Sequence, residues 1–98
     1  MAQLIYSQRA LADFERLTDF LLEADPIAAV ETTELIFEAV QILENHPLIG
    51  HPAEHGMSEL VISRGRTGYI ALYDYEDKHD TVLVLAIRHR REAGYASE

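Results

Sequence analysis

The sequence has no cysteine, no tryptophan, a single lysine (Lys78) and no long apolar run. Without cysteine there is no disulfide framework, no thiolate zinc site and no cysteine nucleophile, a composition that suits a reducing compartment. No stretch approaches the roughly 20 apolar residues that a membrane-spanning helix needs, and the first residues do not resemble a secretion signal. We therefore expect a cytoplasmic protein that does not contact a membrane.

The chain has an excess of acidic residues. Its 98 residues include 8 Lys and Arg against 17 Asp and Glu, which gives a net charge of −9. Residues 1–62 hold 2 basic and 11 acidic residues, whereas residues 63–98 hold six of each. The length fits one domain that spans residues 1–98. The charge excludes a generally basic nucleic-acid-binding protein and limits any contact with an anionic target to the C-terminal part.

The N-terminal half predicts a short strand and two helices. Leu4-Ile5-Tyr6 ends at Ser7, a good N-cap, and apolar residues then recur at helical spacing, which predicts a helix of about Gln8 to Ala24. Asp25-Pro26 provides the N-cap and first residue of a second helix, which we expect to end near Asn45. Because only one or two residues separate the helices, they must form an antiparallel hairpin.

The C-terminal half predicts a sheet. A loop rich in proline and glycine, His46 to Met57, is followed by three strand-like runs, namely 59–63, 69–75 and 81–89. The short links between the runs favour an antiparallel meander. The predicted fold class is therefore α+β with the order β-α-α-β-β-β, in which the N-terminal helical hairpin packs on one face of a small, mainly antiparallel sheet.

Strand alternation predicts which residues face the helices, because successive side chains point to opposite faces of a sheet. Seven apolar residues are expected beneath the hairpin: Leu60, Ile62, Ile70, Leu72, Leu83, Leu85 and Ile87. The other face is expected to carry Glu59, Val61, Ser63, Tyr69, Ala71, Tyr73, Tyr75, Val82, Val84, Ala86 and Arg88. That face is apolar enough to indicate that something covers it.

Several short segments resemble one family in their order and spacing. They are Ile5-Tyr6-Ser7 with Ala10 and Asp13, His46-Pro47-Leu48-Ile49-Gly50, Ser58-Glu59-Leu60-Val61-Ile62, Gly68-Tyr69-Ile70-Ala71-Leu72-Tyr73, and the ending from Ala86 to Tyr95. Together they cover nearly the whole chain and resemble the RelE/ParE superfamily of toxins of type II toxin–antitoxin systems, also called plasmid stabilisation proteins. The ending Arg88-His89-Arg90-Arg91-Glu92 looks most like the ParE-type branch.

The resemblance implies a small toxin that is neutralised by a cognate antitoxin encoded beside it. ParE-like members resemble inhibitors of DNA gyrase, and the resemblance favours this activity. RelE-like members cut messenger RNA on the ribosome, which is the first alternative. The second alternative is an inactive relative that only binds its antitoxin, which is favoured by the net acidity and by Ser58, at a position that is often arginine in the family.

One group of candidate residues has the chemistry for RNA cleavage. It contains Glu59, Arg64, Arg66, His89, Arg90 and Tyr95. Attack by a 2′-hydroxyl needs a base (Glu59 or His89), an acid (His89 or Tyr95) and arginine to stabilise the charge that develops on the phosphate. The single lysine counts against a nuclease, because RelE-like cleavage typically relies on several lysines and arginines.

A second group predicts a surface for a protein partner. It contains Tyr69, Tyr73, Tyr75, Arg88, Arg90 and Arg91. An antitoxin segment is expected to lie across the open face or to add a strand to a sheet edge, giving a toxin–antitoxin hetero-oligomer. The loop histidines His46, His51 and His55 lack the fixed spacing of a preformed zinc site, and we expect neither a metal nor another cofactor.

Overall fold

The computed structural model describes residues 1–64, 67–92, 94 and 95, except for the side chains of residues 63, 64 and 67. The elements are β1 (Gln3–Tyr6), α1 (Gln8–Ala24), α2 (Pro26–Gln41), β2 (His51–Pro52), β3 (Ser58–Arg64), β4 (Thr67–Glu76) and β5 (Thr81–His89). Short 3₁₀ turns lie at Ile42–Glu44 and Glu54–Gly56. The predicted order of elements is confirmed, with the two-residue strand β2 added inside the predicted loop.

Both helices begin where the capping residues predict. The Ser7 hydroxyl accepts a hydrogen bond from the Ala10 amide at 3.0 Å. The Asp25 carboxylate accepts from the amides of Ile27 at 3.1 Å and Ala28 at 3.2 Å, so it caps α2. The Asp25 amide also donates to the Leu21 carbonyl, so the same residue ends α1 and begins α2. Neither α1 nor α2 has the length and apolar content needed to cross a membrane.

The sheet has five strands in the order β1-β5-β4-β3-β2. β1 runs parallel to β5, and the other neighbours are antiparallel, so the prediction of a mainly antiparallel sheet is confirmed. The hydrophobic core lies between the hairpin and one face of the sheet. It includes Phe14, Leu17, Ile36 and Val40 from the helices and Tyr73, Val82, Val84 and Ile87 from the strands.

The predicted faces of β4 and of the first half of β5 are wrong. Leu72 pairs with Ala86 but Tyr73 pairs with Val84, so Leu85 is the extra residue of a β-bulge that reverses the alternation of β5. The residues that the helices bury here are Tyr69, Ala71, Tyr73, Val82 and Val84, whereas Ile70, Leu72, Leu83 and Leu85 are only partly buried. The predicted burial of Ile62 and Ile87 and the partial burial of Leu60 against the core are confirmed.

Beyond the end of β1, side chains form hydrogen bonds with the backbone at the outer edge of β5. β1 ends at Tyr6, opposite Val84. Past this point the Ser7 hydroxyl donates to the Leu85 carbonyl at 3.0 Å, the Ile87 amide donates to Asp13 Oδ2 at 2.8 Å, and the His89 amide donates to Glu92 Oε1 at 3.0 Å. Three side chains therefore satisfy backbone groups that a longer β1 would have paired.

Candidate functional site

The basic C-terminal end of β5 is divided between the two faces of the sheet. Arg88 pairs with Ile70 on the face away from the helices, and His89 pairs with Tyr69, which is buried beneath them. Since neighbouring strand residues point to opposite faces, the two side chains lie on opposite sides. The residues predicted as one cluster therefore form two separate arrangements.

The arrangement on the open face joins Arg88, Tyr95 and Glu59. The Tyr95 hydroxyl donates to Glu59 Oε2 at 2.6 Å, and the Arg88 guanidinium lies over the Tyr95 ring, 5.2 Å from its centroid. Partial burial, followed by the hydrogen bond to Glu59, raises the pKa of Tyr95 well above its usual value. The phenol therefore keeps its proton at neutral pH and holds it against the Glu59 carboxylate.

Arg88 also fixes the backbone that follows β5. Its Nη1 donates to the carbonyls of His89 and Arg90, each at 3.3 Å, and of Glu92 at 2.9 Å. The Arg88 guanidinium therefore contacts three backbone carbonyls and one aromatic ring of its own chain. Arg88 thereby holds the turn at residues 89–92, and beyond this turn Tyr95 reaches Glu59 on the open face.

The arrangement on the helix side is built around His89. Its ring meets the Tyr69 ring edge to face, with centroids 5.2 Å apart, and its Nδ1 accepts a hydrogen bond from the Arg91 amide at 3.0 Å. An Nδ1 that accepts places the proton of a neutral imidazole on Nε2. His89 therefore offers an N–H donor on the side of the ring that is not bound to Arg91.

Glu92 and Arg16 complete the polar part of this arrangement. Arg16 contacts Glu92 Oε1 at 3.2 Å and Asp13 Oδ1 at 3.6 Å. Partial burial favours the protonated form of Glu92, but the hydrogen bond from the His89 amide and the Arg16 guanidinium outweigh it, so the pKa of Glu92 is lowered. Glu92 is therefore ionised at neutral pH, and Arg16 balances its charge.

A groove of about 640 Å³ lies between α1, the start of β4 and the end of β5. Its lining combines an apolar part, Leu17, Phe20, Leu21 and Tyr69, with a polar part, Arg16, His89, Arg91 and Glu92. A smaller cleft beside it is lined by Gly68, His89, Arg90 and Arg91. A Cβ atom at Gly68 would collide with the side chain of Arg90, so glycine lets the Arg90 stem lie against the backbone of β4.

Comparison with known proteins identifies the family. The family described as "ParE toxin of type II toxin-antitoxin system, parDE" matches residues 4–94. The chain belongs to this family. The match runs from β1 to the turn after β5, so it includes every residue of the site described above except Tyr95.

Relatives of this ParE-family chain carry both ParE and RelE names. Toxin RelE3 of Caulobacter vibrioides is 33% identical over 84 residues, which cover 86% of this chain and 89% of that protein. The solved chromosomal ParDE system from P. aeruginosa has a TM-score of 0.76 at 23% identity, covering 89% of this chain and 94% of that one. The RelBE2 toxin–antitoxin complex from Mycobacterium tuberculosis has a TM-score of 0.60 at 27% identity, covering 91% and 98%. The chain is therefore a toxin of a type II toxin–antitoxin system, and the fold is the one these proteins share.

The structure corrects the predicted placement of the tyrosines in this ParE-family chain. Tyr69 and Tyr73 were expected on the open face, but they are 4% and 0% exposed beneath the helices. The Tyr73 hydroxyl accepts a hydrogen bond from the Gly50 amide at 2.9 Å, and the half-buried Tyr75 donates to Asp80 Oδ1 at 2.7 Å. The prediction of an open-face tyrosine row is therefore wrong, because β4 turns these side chains toward the core.

The other predicted arginines differ in how the structure describes them. Arg90 and Arg91 are exposed at the end of β5, next to His89. Arg66 lies outside the described residues, and so does the side chain of Arg64. Among the described residues, no group of three or more histidines and carboxylates is arranged to hold a metal ion.

Sequence reasoning missed the contribution of α1 to the site. No pattern in the sequence points to Arg16 or Phe20, and Asp13 is only one residue of the family pattern. A signal for Asp13 was present, because it lies with Ala10 and Phe14 on one buried stripe of α1 at helical spacing. A carboxylate inside an apolar stripe must find a partner, and the partner here is the Ile87 amide.

Proposed function

We propose that this toxin is ParE-like and acts by binding and inhibiting an intracellular target such as DNA gyrase. The observation that supports this is the separation of the groups that RNA cleavage would need. A base and an acid for 2′-hydroxyl attack must flank the same phosphate. Glu59 and Tyr95 are bonded to each other on the open face, whereas His89 is on the helix side.

The position of the single lysine supports inhibition by binding. Lys78 lies in the turn between β4 and β5, and His89 lies at the other end of this hairpin, where it pairs with Tyr69. A strand rises about 3.3 Å per residue, so the whole length of β5 separates the two positions. The cations near His89 are therefore arginines, which suit the bidentate recognition of a carboxylate or phosphate without any catalytic step.

We further propose that the toxin is cytoplasmic, uses no cofactor and is neutralised by a cognate antitoxin in a hetero-oligomer. Solved relatives are named as toxin–antitoxin complexes, including RelBE2 of M. tuberculosis and RelBE of E. coli. The exposed Arg90 and Arg91 and the apolar groove beside them are the features that a protein partner would use. Arg88 contacts the backbone carbonyl of Arg90, and Tyr69 contacts the His89 ring beside these residues.

The test is inducible expression of the toxin with and without the neighbouring gene product. We expect growth arrest and a DNA-damage response without the neighbour, relief when both are expressed, and loss of supercoiling by purified gyrase when the toxin is added. Primer extension on translated messages should show intact transcripts. A His89→Ala, Arg90→Ala double variant tests whether any cuts that do appear depend on these two residues.

Two other outcomes would contradict the proposal. Discrete cuts in translated messages that disappear in the His89→Ala, Arg90→Ala variant would identify a RelE-like ribosome-dependent endonuclease. Tight binding to the neighbouring gene product without any growth defect would identify an inactive relative that only binds its antitoxin. Each outcome is distinguishable from gyrase inhibition, because neither reduces supercoiling.

A further inference from the structure

The apolar wall of the 640 Å³ groove exposes a large aromatic side chain. Leu17, Phe20 and Leu21 are spaced three and four residues apart, which places them on one face of α1. Phe20 is 72% exposed although it lies beside these two leucines. An aromatic residue next to other apolar side chains in a concave surface is typical of a protein-binding hot spot.

The polar end of the groove offers hydrogen-bond donors. Glu92 is bound to Arg16 and to the His89 amide, and Arg16 is bound to Asp13 as well, so two carboxylates already engage the Arg16 guanidinium. Arg91 is exposed, and within the described ranges its guanidinium makes neither a hydrogen bond nor an ion pair. His89 adds its Nε2–H, since Nδ1 accepts from the Arg91 amide. A guanidinium beside a neutral imidazole N–H is complementary to a carboxylate.

We infer that the groove binds a segment of the antitoxin in which a large apolar side chain lies next to an Asp or Glu. This inference rests on the proposed function and names the chemistry of the partner at one site. The apolar side chain packs against Phe20, Leu17 and Leu21, and the carboxylate binds Arg91 and His89. The volume lies within the range of roughly 300–1,000 Å³ of pockets that enclose a ligand, so it accommodates more than one side chain.

Charge and polarity favour a peptide over a nucleic-acid backbone in this groove. A phosphate backbone would satisfy Arg91 but leave the wall around Phe20 in water. The chain also carries a net charge of −9, which opposes a polyanion over any extended contact. A short segment with a single carboxylate meets the positive charge of Arg91 and places its apolar side chain on the wall around Phe20.

The test uses the full-length toxin and the antitoxin encoded beside it, with binding measured by isothermal titration calorimetry. Arg91→Glu is expected to raise the Kd about 10- to 100-fold, because a hydrogen bond to a charged group is lost and a like charge replaces it. Phe20→Ser is expected to raise the Kd about tenfold or more through the loss of apolar burial.

Matched controls separate this site from general effects of charge and hydrophobicity. Lys78→Glu makes the same change of charge at the distant turn, and Ile27→Ser removes an apolar side chain that is equally exposed, at 72%. Both controls should bind the antitoxin like the unmodified toxin. All four positions are exposed, and thermal unfolding followed by circular dichroism checks that each variant folds.

A charge exchange identifies the partner group. One Asp or Glu of the antitoxin, when replaced by Lys, should restore binding to Arg91→Glu and weaken binding to the unmodified toxin. If Arg91→Glu and Phe20→Ser bind as tightly as Lys78→Glu and Ile27→Ser, the groove is not the site and the inference is wrong, while the proposed function stands. If the unmodified toxin does not bind the antitoxin, both are wrong.

Discussion

Replacement of Asp13 by alanine tests whether a side chain of α1 substitutes for a missing strand. The Asp13 carboxylate is 3% exposed and accepts the hydrogen bond of the Ile87 amide at 2.8 Å. Ile87 is fully buried, so no water molecule from the solvent can replace the lost acceptor without opening the core. Asp13→Ala therefore leaves a buried N–H without its partner.

The expected magnitude follows from that contact. A hydrogen bond to a charged group contributes about 1.5–3 kcal/mol, and a buried donor left unsatisfied costs about 1–3 kcal/mol, so we expect the free energy of unfolding to fall by about 2–3 kcal/mol. In a domain of this size each 1 kcal/mol corresponds to roughly 4–8 °C in Tm, so Tm should fall by about 10–20 °C. Urea unfolding followed by far-UV circular dichroism measures the change.

Asp13→Asn is the matched control. Its amide oxygen still accepts from Ile87, and it loses only the attraction to Arg16, whose nitrogen is 3.6 Å away on a side chain that is 40% exposed. Such partly exposed ion pairs contribute about 0–1 kcal/mol. Asp13→Asn should therefore be clearly more stable than Asp13→Ala. Equal destabilisation of the two variants would refute the role assigned to the hydrogen bond.

Further predictions concern the contact between Gly50 and Tyr73 and the burial of Tyr6. Gly50→Ala should destabilise the protein by about 1–3 kcal/mol in urea unfolding, because a Cβ atom would lie 2.5 Å from the Tyr73 hydroxyl, whereas Gly94→Ala, with nothing within 4 Å, should not. Tyr73→Phe should cost about 0.5–1.5 kcal/mol through loss of the hydrogen bond from the Gly50 amide, and an unchanged urea midpoint would contradict that bond. Burial, followed by the charge of Glu44, raises the pKa of Tyr6 from 10.0 to about 12. Between these values the unfolded chain loses the proton while the folded protein keeps it, so the stability from Tyr6 is complete below pH 10 and is lost as pH rises toward 12. Urea midpoints measured from pH 9 to 12 should fall less for Tyr6→Phe than for the unmodified protein. Identical pH profiles of the two proteins would count against the raised pKa of Tyr6.

The elements of this fold could be predicted because their signals are local. Ser7 and Asp25 act as N-caps within three residues of the groups they bind, and Pro26 has no amide to lose at the start of α2. The hairpin follows from the short connection at Asp25. The family resemblance rested on the same local segments, and the match over residues 4–94 confirms it.

The faces of β4 could not be predicted because both rows of side chains are apolar. Tyr69, Ala71 and Tyr73 alternate with Ile70 and Leu72, so hydrophobicity does not indicate which of the two rows faces the helices. The face of Tyr73 is decided by a long-range contact, because its hydroxyl bonds to Gly50, 23 positions away in the chain. The bulge at Leu85 likewise depends on the pairing with β4, which periodicity within β5 does not reveal.

The candidate site was predicted by residue type but not by geometry. Arg88 and His89 are neighbours in the sequence, and strand alternation alone separates them once the faces are known. The contacts from Glu59 to Tyr95 and from Arg16 to Glu92 join positions 36 and 76 residues apart. No pattern in the sequence encodes such pairs, because they depend on how the C-terminal segment folds back on the sheet.

The side chains along β5 also bear on aggregation. An edge strand with unpaired amides is a template for pairing with other chains. Beyond the end of β1, the amides of Ile87 and His89 already donate to Asp13 and Glu92, two carboxylates that Arg16 holds in place. An incoming strand would have to displace this ion-paired network before it could form a hydrogen bond there. Protection against cross-β growth at this edge is therefore built from α1 and the C-terminal turn, and the part that Glu92 supplies should weaken in acid, when that carboxylate is protonated.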